Sequence, residues 1–143
     1  MSYLSSVLDV VQGWPNASAL SYEFNPKNNG NITEGTIVKV SAGTLPGKSV
    51  VEPHTSTATY DCPWLVIRGK ETFDSVTTKK LSCLRMRTGF VFDIVAPNLD
   101  ANVSDLVYAN NGALTKTPPV QDARPVGLII EKNPAENKYR IVS

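Results

Sequence analysis

The ten residues 106–115, LVYANNGALT, are the stretch of this sequence that most directly indicates its fold. Asn111 and Gly112 lie between two short β-type runs, and both residues tolerate the positive φ that a type I′ turn requires. An Asn-Gly pair in this setting predicts a β-hairpin in which Ala109 lies opposite Leu114. The fold is therefore expected to be β in this part of the chain.

The same alternation of short β-rich runs and turn signals extends on both sides of this hairpin, from residue 34 to the last residue. Examples are TIVKV (36–40), PWLVI (63–67), FVFDIV (90–95) and VGLIIEK (126–132). Strands at this spacing predict an all-β body over residues 34–143, a small antiparallel barrel or sandwich. Alternation predicts the following core residues: Val38, Val40, Trp64, Val66, Leu84, Val91, Val107, Leu128, Ile130 and Ile141.

A second hairpin is predicted around Thr88 and Gly89, within LSCLRMRTGFVFDIV (81–95). A two-residue loop there places Arg85 opposite Phe92 and Cys83 opposite Ile94. Both faces of such a hairpin are partly apolar, so we expect the barrel interior to cover one face and a loop, an arm or a partner to cover the other. This second apolar face is our reason to expect self-association as a trimer, with a dimer as the alternative.

The first 33 residues differ from the rest, and we predict that they form an N-terminal arm. Apolar residues in SYLSSVLDVVQGWP (2–15) recur at helical spacing, which predicts a short helix over residues 3–12, and residues 13–33 are expected to form an extended linker. The arm is predicted to contact a neighbouring subunit or a partner surface, and the alternative is that it packs on its own barrel. The predicted contacts are Tyr3, Leu4, Val7, Leu8, Val11, Trp14, Tyr22 and Phe24.

Composition leaves the binding partner open. The chain has 143 residues and a formal net charge of +1, so no overall charge attracts it to nucleic acid or to a membrane surface. The N-terminal residues have neither a basic region nor an uninterrupted apolar run, so we expect neither a signal peptide nor a membrane span. Residence in a cytoplasm-like compartment is the resulting expectation.

Catalytic machinery is not recognisable in the sequence. His54 is the only histidine and lies in a loop without a nucleophile motif, so a solvated side chain is expected. No phosphate-binding loop is present, and the acidic residues are scattered singly. We therefore predict that the protein is not an enzyme and has no catalytic, cofactor-binding or metal-binding residues.

Cys62 and Cys83 are expected to be small buried strand residues, with a disulfide as the alternative.

A nucleic-acid-binding module is a competing interpretation of the barrel. An OB-like platform would use Phe90 and Phe92 as stacking rings, and its basic cluster would be Arg68, Lys70, Lys79, Lys80, Arg85 and Arg87. Glu71 and Asp74 interrupt the basic cluster, however. A solvated face with two core phenylalanines is the expectation, and no nucleic acid is predicted as a partner.

The order of several segments resembles the small β-barrel structural proteins of tailed bacteriophages, and capsid decoration (cement) proteins are the nearest of these. The segments that carry the resemblance are residues 35–40, 105–115 and 124–131. The resemblance implies a non-enzymatic protein that binds the major capsid protein on the outside of the head, often as trimers or dimers. It further implies synthesis in the cytoplasm of a host bacterium and residence in the virion. A tail or baseplate component is the alternative, followed by an OB-like nucleic-acid-binding module.

Overall fold

The structure, a computed structural model, describes residues 8–12, 21–68, 72–73, 76–77 and 80–143. Short strands dominate it, which confirms the all-β prediction. The strands are β1 (Leu8–Gln12), β2 (Ser21–Pro26), β3 (Ile37–Ala42), β4 (Ser49–Pro53), β5 (Trp64–Arg68), β6 (Thr72–Phe73), β7 (Val76–Thr77), β8 (Leu81–Arg85), β9 (Val91–Val95), β10 (Leu106–Asn110), β11 (Ala113–Thr115), β12 (Gly127–Asn133) and β13 (Lys138–Val142). A 3₁₀ turn, Lys27–Asn29, follows β2.

These strands form a closed barrel and an open sheet. The barrel has the order β2-β4-β3-β5-β8, and the sheet has the order β1-β9-β13-β12-β10-β11. Neighbouring strands are antiparallel in both, except for the parallel pair β2 and β4. Among the residues that the structure describes, the strands β6 and β7 pair only with each other. The predicted barrel is thus accompanied by a second sheet from the same chain.

Two hydrophobic clusters explain how the barrel and the sheet are held together. In β5, Val66 belongs to one cluster, whereas its neighbours Leu65 and Ile67 belong to the other. Because successive side chains of a strand point to opposite faces, β5 buries one face inside the barrel and the other against the six-stranded sheet. The cluster that contains Leu65 and Ile67 also contains Phe92 and Ile141 from that sheet. The strands β3, β5 and β8 contribute to both clusters, so the chain's own six-stranded sheet covers their outer faces.

The hairpin at Asn111 and Gly112 is confirmed, whereas the one at Thr88 and Gly89 is wrong. β10 pairs with β11, and Ala109 lies opposite Leu114 as predicted. In contrast, β8 pairs with β2 and β5, while β9 pairs with β1 and β13. A turn does form at residues 87–90, where Phe90 N–H donates to the Arg87 carbonyl at 3.1 Å. The chain crosses there from the barrel to the sheet.

The helix predicted over residues 3–12 is wrong for residues 8–12, which form β1, and residues 3–7 lie outside the described residues. β1 adds to β9 with Leu8 opposite Ile94, and the Leu8 side chain is 1% exposed. A helix of about ten residues is marginal in water, whereas a strand on the edge of β9 obtains both backbone partners and burial.

The predicted arm also needs correction at residues 21–33. β2 is a strand of the barrel, and Phe24 and Ile32 are buried in the barrel cluster. The described parts of residues 1–33 thus belong to the body. A truncation that begins at Asn31 would remove a barrel strand, because β2 pairs with both β8 and β4.

Most predicted core residues are buried, two are partly buried and two are exposed. Val38, Val66, Leu84, Val91, Val107 and Ile141 are buried, and Trp64 and Leu128 are partly buried. Val40 and Ile130 are exposed. In β12 the buried residue is Ile129, which lies opposite Ile141, so the predicted alternation is one residue out of phase in this strand.

Candidate functional site

His54 lies in a buried polar cluster between the barrel and the sheet, so the expectation of a solvated histidine is wrong. Its side chain is 3% exposed, and Nε2 lies 3.4 Å from Oδ1 of Asp61. Within the described residues, Nδ1 has no hydrogen-bond partner. Burial lowers the pKa of His54 below its ordinary value, Asp61 opposes this shift, and Lys39 adds to it. The imidazole is therefore held neutral at neutral pH.

Backbone bonds around His54 explain its position. His54 N–H donates to the Ile37 carbonyl at 2.9 Å, and Gly112 N–H donates to the His54 carbonyl at 2.8 Å. Two residues further on, Ser56 N–H donates to the Ala109 carbonyl, and Ala109 N–H donates to Ser56 Oγ at 2.9 Å. The segment after β4 thus runs along the β10–β11 hairpin and ties the barrel to the sheet.

A cavity of about 30 Å³ lies beside His54 and is also lined by Ser56, Asp61 and Arg124. Its volume is about that of one water molecule. Covalent catalysis at this histidine would need a hydroxyl or thiol bonded to the imidazole. In the described part of the chain no such group bonds to His54, and Ser56 Oγ accepts the Ala109 amide. His54 and Asp61 thus form a polar contact beside this cavity.

Both cysteines are free thiols. Cys83 is a buried strand residue as predicted, and burial raises its pKa to about 12. The same prediction is wrong for Cys62, which is partly buried and lies in the loop before β5. Interaction with Tyr60, and to a lesser extent with Cys62, raises the pKa of Arg85.

The predicted arm contacts fall into three groups. Leu8 and Phe24 are buried in the chain's own core, so they are not exposed contacts. Tyr22 is 61% exposed and is free to contact a partner. Val11 lies in β1, but its side chain is outside the described residues, as are Tyr3, Leu4, Val7 and Trp14 altogether.

The OB-like platform loses its stacking rings in the structure. Phe90 and Phe92 stack on each other with centroids 5.5 Å apart, but they are 2% and 0% exposed. Arg85 does not lie opposite Phe92, because their strands belong to different sheets. The sequence interpretation of both rings as core residues is therefore correct.

The outer face of the six-stranded sheet carries a row of exposed and half-exposed apolar side chains. Leu106 lies opposite Leu128, and Leu128 lies opposite Val142, so the three side chains share one face. Leu106 is 47% exposed, and the other two are partly exposed. Ile130, further along β12, adds another exposed apolar side chain. We call Leu106, Leu128, Ile130 and Val142 the outer apolar row.

An ion network borders the outer apolar row. Arg140 donates from Nε and Nη2 to the two carboxylate oxygens of Asp93 at 2.8 and 3.1 Å, and its Nη1 lies 3.3 Å from Glu131. Bidentate pairing orients the guanidinium, which makes this part of the face rigid as well as polar. The outer apolar row was not identified as a surface from the sequence. Alternation in β10 could have indicated it, since Val107 and Ala109 point inward and Leu106 must point outward.

Comparison with known proteins provides no assignment: no family model, curated protein or solved structure matches the chain. In the described ranges, no three His, Cys, Asp or Glu side chains are grouped so that they could hold a metal ion. The described residues also include no helix with the length and apolar character needed to cross a bilayer.

Proposed function

We propose that the chain is a structural protein of a tailed-bacteriophage virion that binds the outer surface of the head and bridges capsid subunits. The major capsid protein is the proposed partner. The sequence resemblance suggests this role, and the outer apolar row is the observation that supports it. A sheet face with apolar side chains beside an ion network has the composition of a protein–protein interface.

The outer apolar row would contribute to binding by burial. Each exposed aliphatic side chain that becomes covered contributes roughly 25 cal/mol per Å² of apolar area removed from water. A single row is a small interface, so high occupancy requires many copies bound to a repeating surface or several rows in one oligomer. A capsid lattice offers such repetition.

Co-sedimentation with heads of the phage that encodes the chain tests this proposal. Leu106→Glu places a charge in the outer apolar row and should weaken binding about ten-fold or more, because the carboxylate must be desolvated or left unpaired. Val120→Glu is the matched control, since Val120 is 45% exposed in a loop outside this row. The control should bind as the unchanged protein does, and both variants should keep its melting profile.

Equal binding by the unchanged protein and Leu106→Glu would remove the outer apolar row from the proposal. Failure of the unchanged protein to bind heads would overturn the capsid assignment itself. Gold-labelled antibody on intact virions separates the alternative, because a tail or baseplate component would be labelled on the tail.

Self-association as a trimer or a dimer belongs to the same proposal, although its original reason no longer applies. The second apolar face of the barrel strands is covered by the chain's own six-stranded sheet rather than by a partner. Any oligomer interface must therefore use exposed groups such as the outer apolar row. Light scattering on the purified protein, with Leu106→Glu beside it, measures both the oligomeric state and the contribution of this row.

A further inference from the structure

A groove with a volume of about 870 Å³ lies between β2 and the turn that joins β3 to β4. It is lined by residues 22–29, by residues from Ala42 to Val50, and by Lys80. Protein clefts that bind ligands have volumes of about 300–1,000 Å³, so the groove is large enough for several residues of a peptide. It lies on the barrel, whereas the outer apolar row lies on the six-stranded sheet.

One wall of the groove is an open strand edge. Residues 21–24 of β2 all pair with β8, whereas β2 pairs with β4 only at Asn25 and Pro26. β4 begins at Ser49, because the preceding turn folds back with Gly43 N–H donating to the Lys48 carbonyl at 2.8 Å. Within the described residues, the other edge of residues 21–23 therefore has no strand against it, since Ser49 of β4 is in register with Phe24. An open edge of three residues, about 10 Å long, can pair with an added strand.

Exposed apolar side chains stand on both walls. Leu45 in the turn is 66% exposed and Tyr22 in β2 is 61% exposed, the two highest values among the large apolar side chains of the described residues. The Tyr22 ring lies 4.8 Å from the ring of Phe24, which supports its position. Both side chains line the groove and would contact apolar side chains of an added strand.

The charge of the groove indicates which kind of strand it would accept. Three lysines and one glutamate, Glu23, line it. Lys27 is paired with Glu52 at 3.1 Å, but Lys48 and Lys80 are exposed and have no ion pair among the described residues. A second copy of this chain in a two-fold arrangement would bring the same lysines against each other, which opposes self-pairing.

We infer that this groove binds an extended acidic peptide segment, which adds to the open edge of β2 while its carboxylates pair with Lys48 and Lys80. Backbone hydrogen bonds along β2 supply affinity, and the lysines with Tyr22 and Leu45 supply selectivity. This inference does not depend on the proposed capsid role.

Fluorescence anisotropy with the full chain tests the inference. The probe is a labelled eight-residue peptide in which valine alternates with glutamate, and its counterpart has lysine in place of each glutamate. We expect saturable binding of the glutamate peptide and at least ten-fold weaker binding of the lysine peptide. The double variant Lys48→Glu, Lys80→Glu should reverse this preference, whereas Lys116→Glu, a change at an exposed lysine after β11, should leave it unchanged.

A third peptide separates strand addition from simple charge attraction. N-methylation of alternate residues of the glutamate peptide removes half of its backbone donors without changing its charge, and binding should be lost. Equal binding of the methylated and unmethylated peptides, or of the two charge types, would overturn the inference, as would unaltered binding by the double variant. Self-association that the double variant changes, without peptide binding, would assign the groove to a second copy and would also overturn it. No capsid is used, so failure here is distinct from failure of the head-binding test.

Discussion

The turns at Thr88-Gly89 and Asn111-Gly112 have similar sequences and opposite structural consequences. At the second turn both central residues have positive φ, 49° for Asn111 and 84° for Gly112, as a type I′ turn requires. At the first turn only Gly89 has positive φ, 88°, because a β-branched threonine is strongly disfavoured there. The type I′ turn at Asn111-Gly112 matches the twist of a hairpin, whereas a turn with positive φ only at its second central residue, as at Thr88-Gly89, splays the strands that flank it.

The two turns occupy different places in the fold. The Asn111-Gly112 turn joins two strands of one sheet, β10 and β11, whereas the Thr88-Gly89 turn joins β8 of the barrel to β9 of the six-stranded sheet. Surroundings differ as well, since an added Cβ at Gly112 would lie 2.6 Å from Thr36 Cγ2, while one at Gly89 would have no atom within 4 Å. The hairpin turn is packed against the barrel, and the crossing turn is open to solvent.

We expect the largest effect from Phe90→Ala, directly after the crossing turn. Phe90 is 2% exposed and belongs to the cluster between the barrel and the sheet. Its truncation should lower the free energy of unfolding by about 3–5 kcal/mol, measured by chemical denaturation. Leu114→Ala, at a partly buried position after the hairpin turn, should cost clearly less. Equal losses of unfolding free energy for Phe90→Ala and Leu114→Ala would mean that packing after the crossing turn contributes no more to stability than packing after the hairpin turn.

Gly112→Ala should lower the free energy of unfolding by about 3 kcal/mol. Alanine at positive φ is strained, and its Cβ would also approach Pro53 Cβ to 3.2 Å and the Ile37 carbonyl oxygen to 3.3 Å. Thermal and chemical denaturation measure the change. A loss below about 1 kcal/mol would show that the hairpin turn can move away from the barrel at little cost.

Acidification should lower the free energy of unfolding through His54, which lies where the segment after β4 contacts the β10–β11 hairpin. The pKa of this buried imidazole is below its ordinary value, so the unfolded chain takes up a proton that the folded chain resists. Stability should therefore fall as the pH decreases below about 6.5, and the fall should end once the pH is below the pKa of His54 in the folded protein. Denaturation curves from pH 7.5 to 5 for the unchanged protein and for His54→Asn measure this. Parallel pH profiles for the two proteins would contradict it.

Gly89→Ala should cost only about 1–2 kcal/mol, since backbone strain at positive φ acts there without steric conflict. Comparison with Gly112→Ala under identical conditions separates the conformational cost, which both variants share, from the packing cost, which only Gly112→Ala has. A larger loss at Gly89 than at Gly112 would reverse the comparison.

The smallest effect is expected for Thr88→Asn, which creates an Asn-Gly pair at the crossing turn. We expect a change within about 0.5 kcal/mol and unchanged strand pairing, because β8 and β9 are held by partners in different sheets. Amide hydrogen exchange across β8 and β9 reports the pairing. Protection that indicates direct pairing of the two strands would show that turn chemistry alone can redirect the chain.

Candidate binding surfaces were less accessible to sequence reasoning than the strands. Of the two aromatic residues predicted as contacts in β2, Tyr22 is exposed, whereas Phe24, two residues later on the same strand, is buried. The outer apolar row depends on the register of three strands that are distant in sequence, and the groove depends on where β4 begins relative to β2. No local pattern encodes such a register.

What the sequence by itself determined is the local structure: the β character of the body, the hairpin at Asn111-Gly112, and the burial of most alternating apolar residues. These features depend on the φ preferences and side-chain alternation of neighbouring residues. Only the tertiary structure decided that β8 and β9 separate, that residues 8–12 form a strand on β9, and that His54 is buried. Each of these depends on an edge or a surface supplied by residues far away in the chain, and the free energy gained there exceeds the weak local preference.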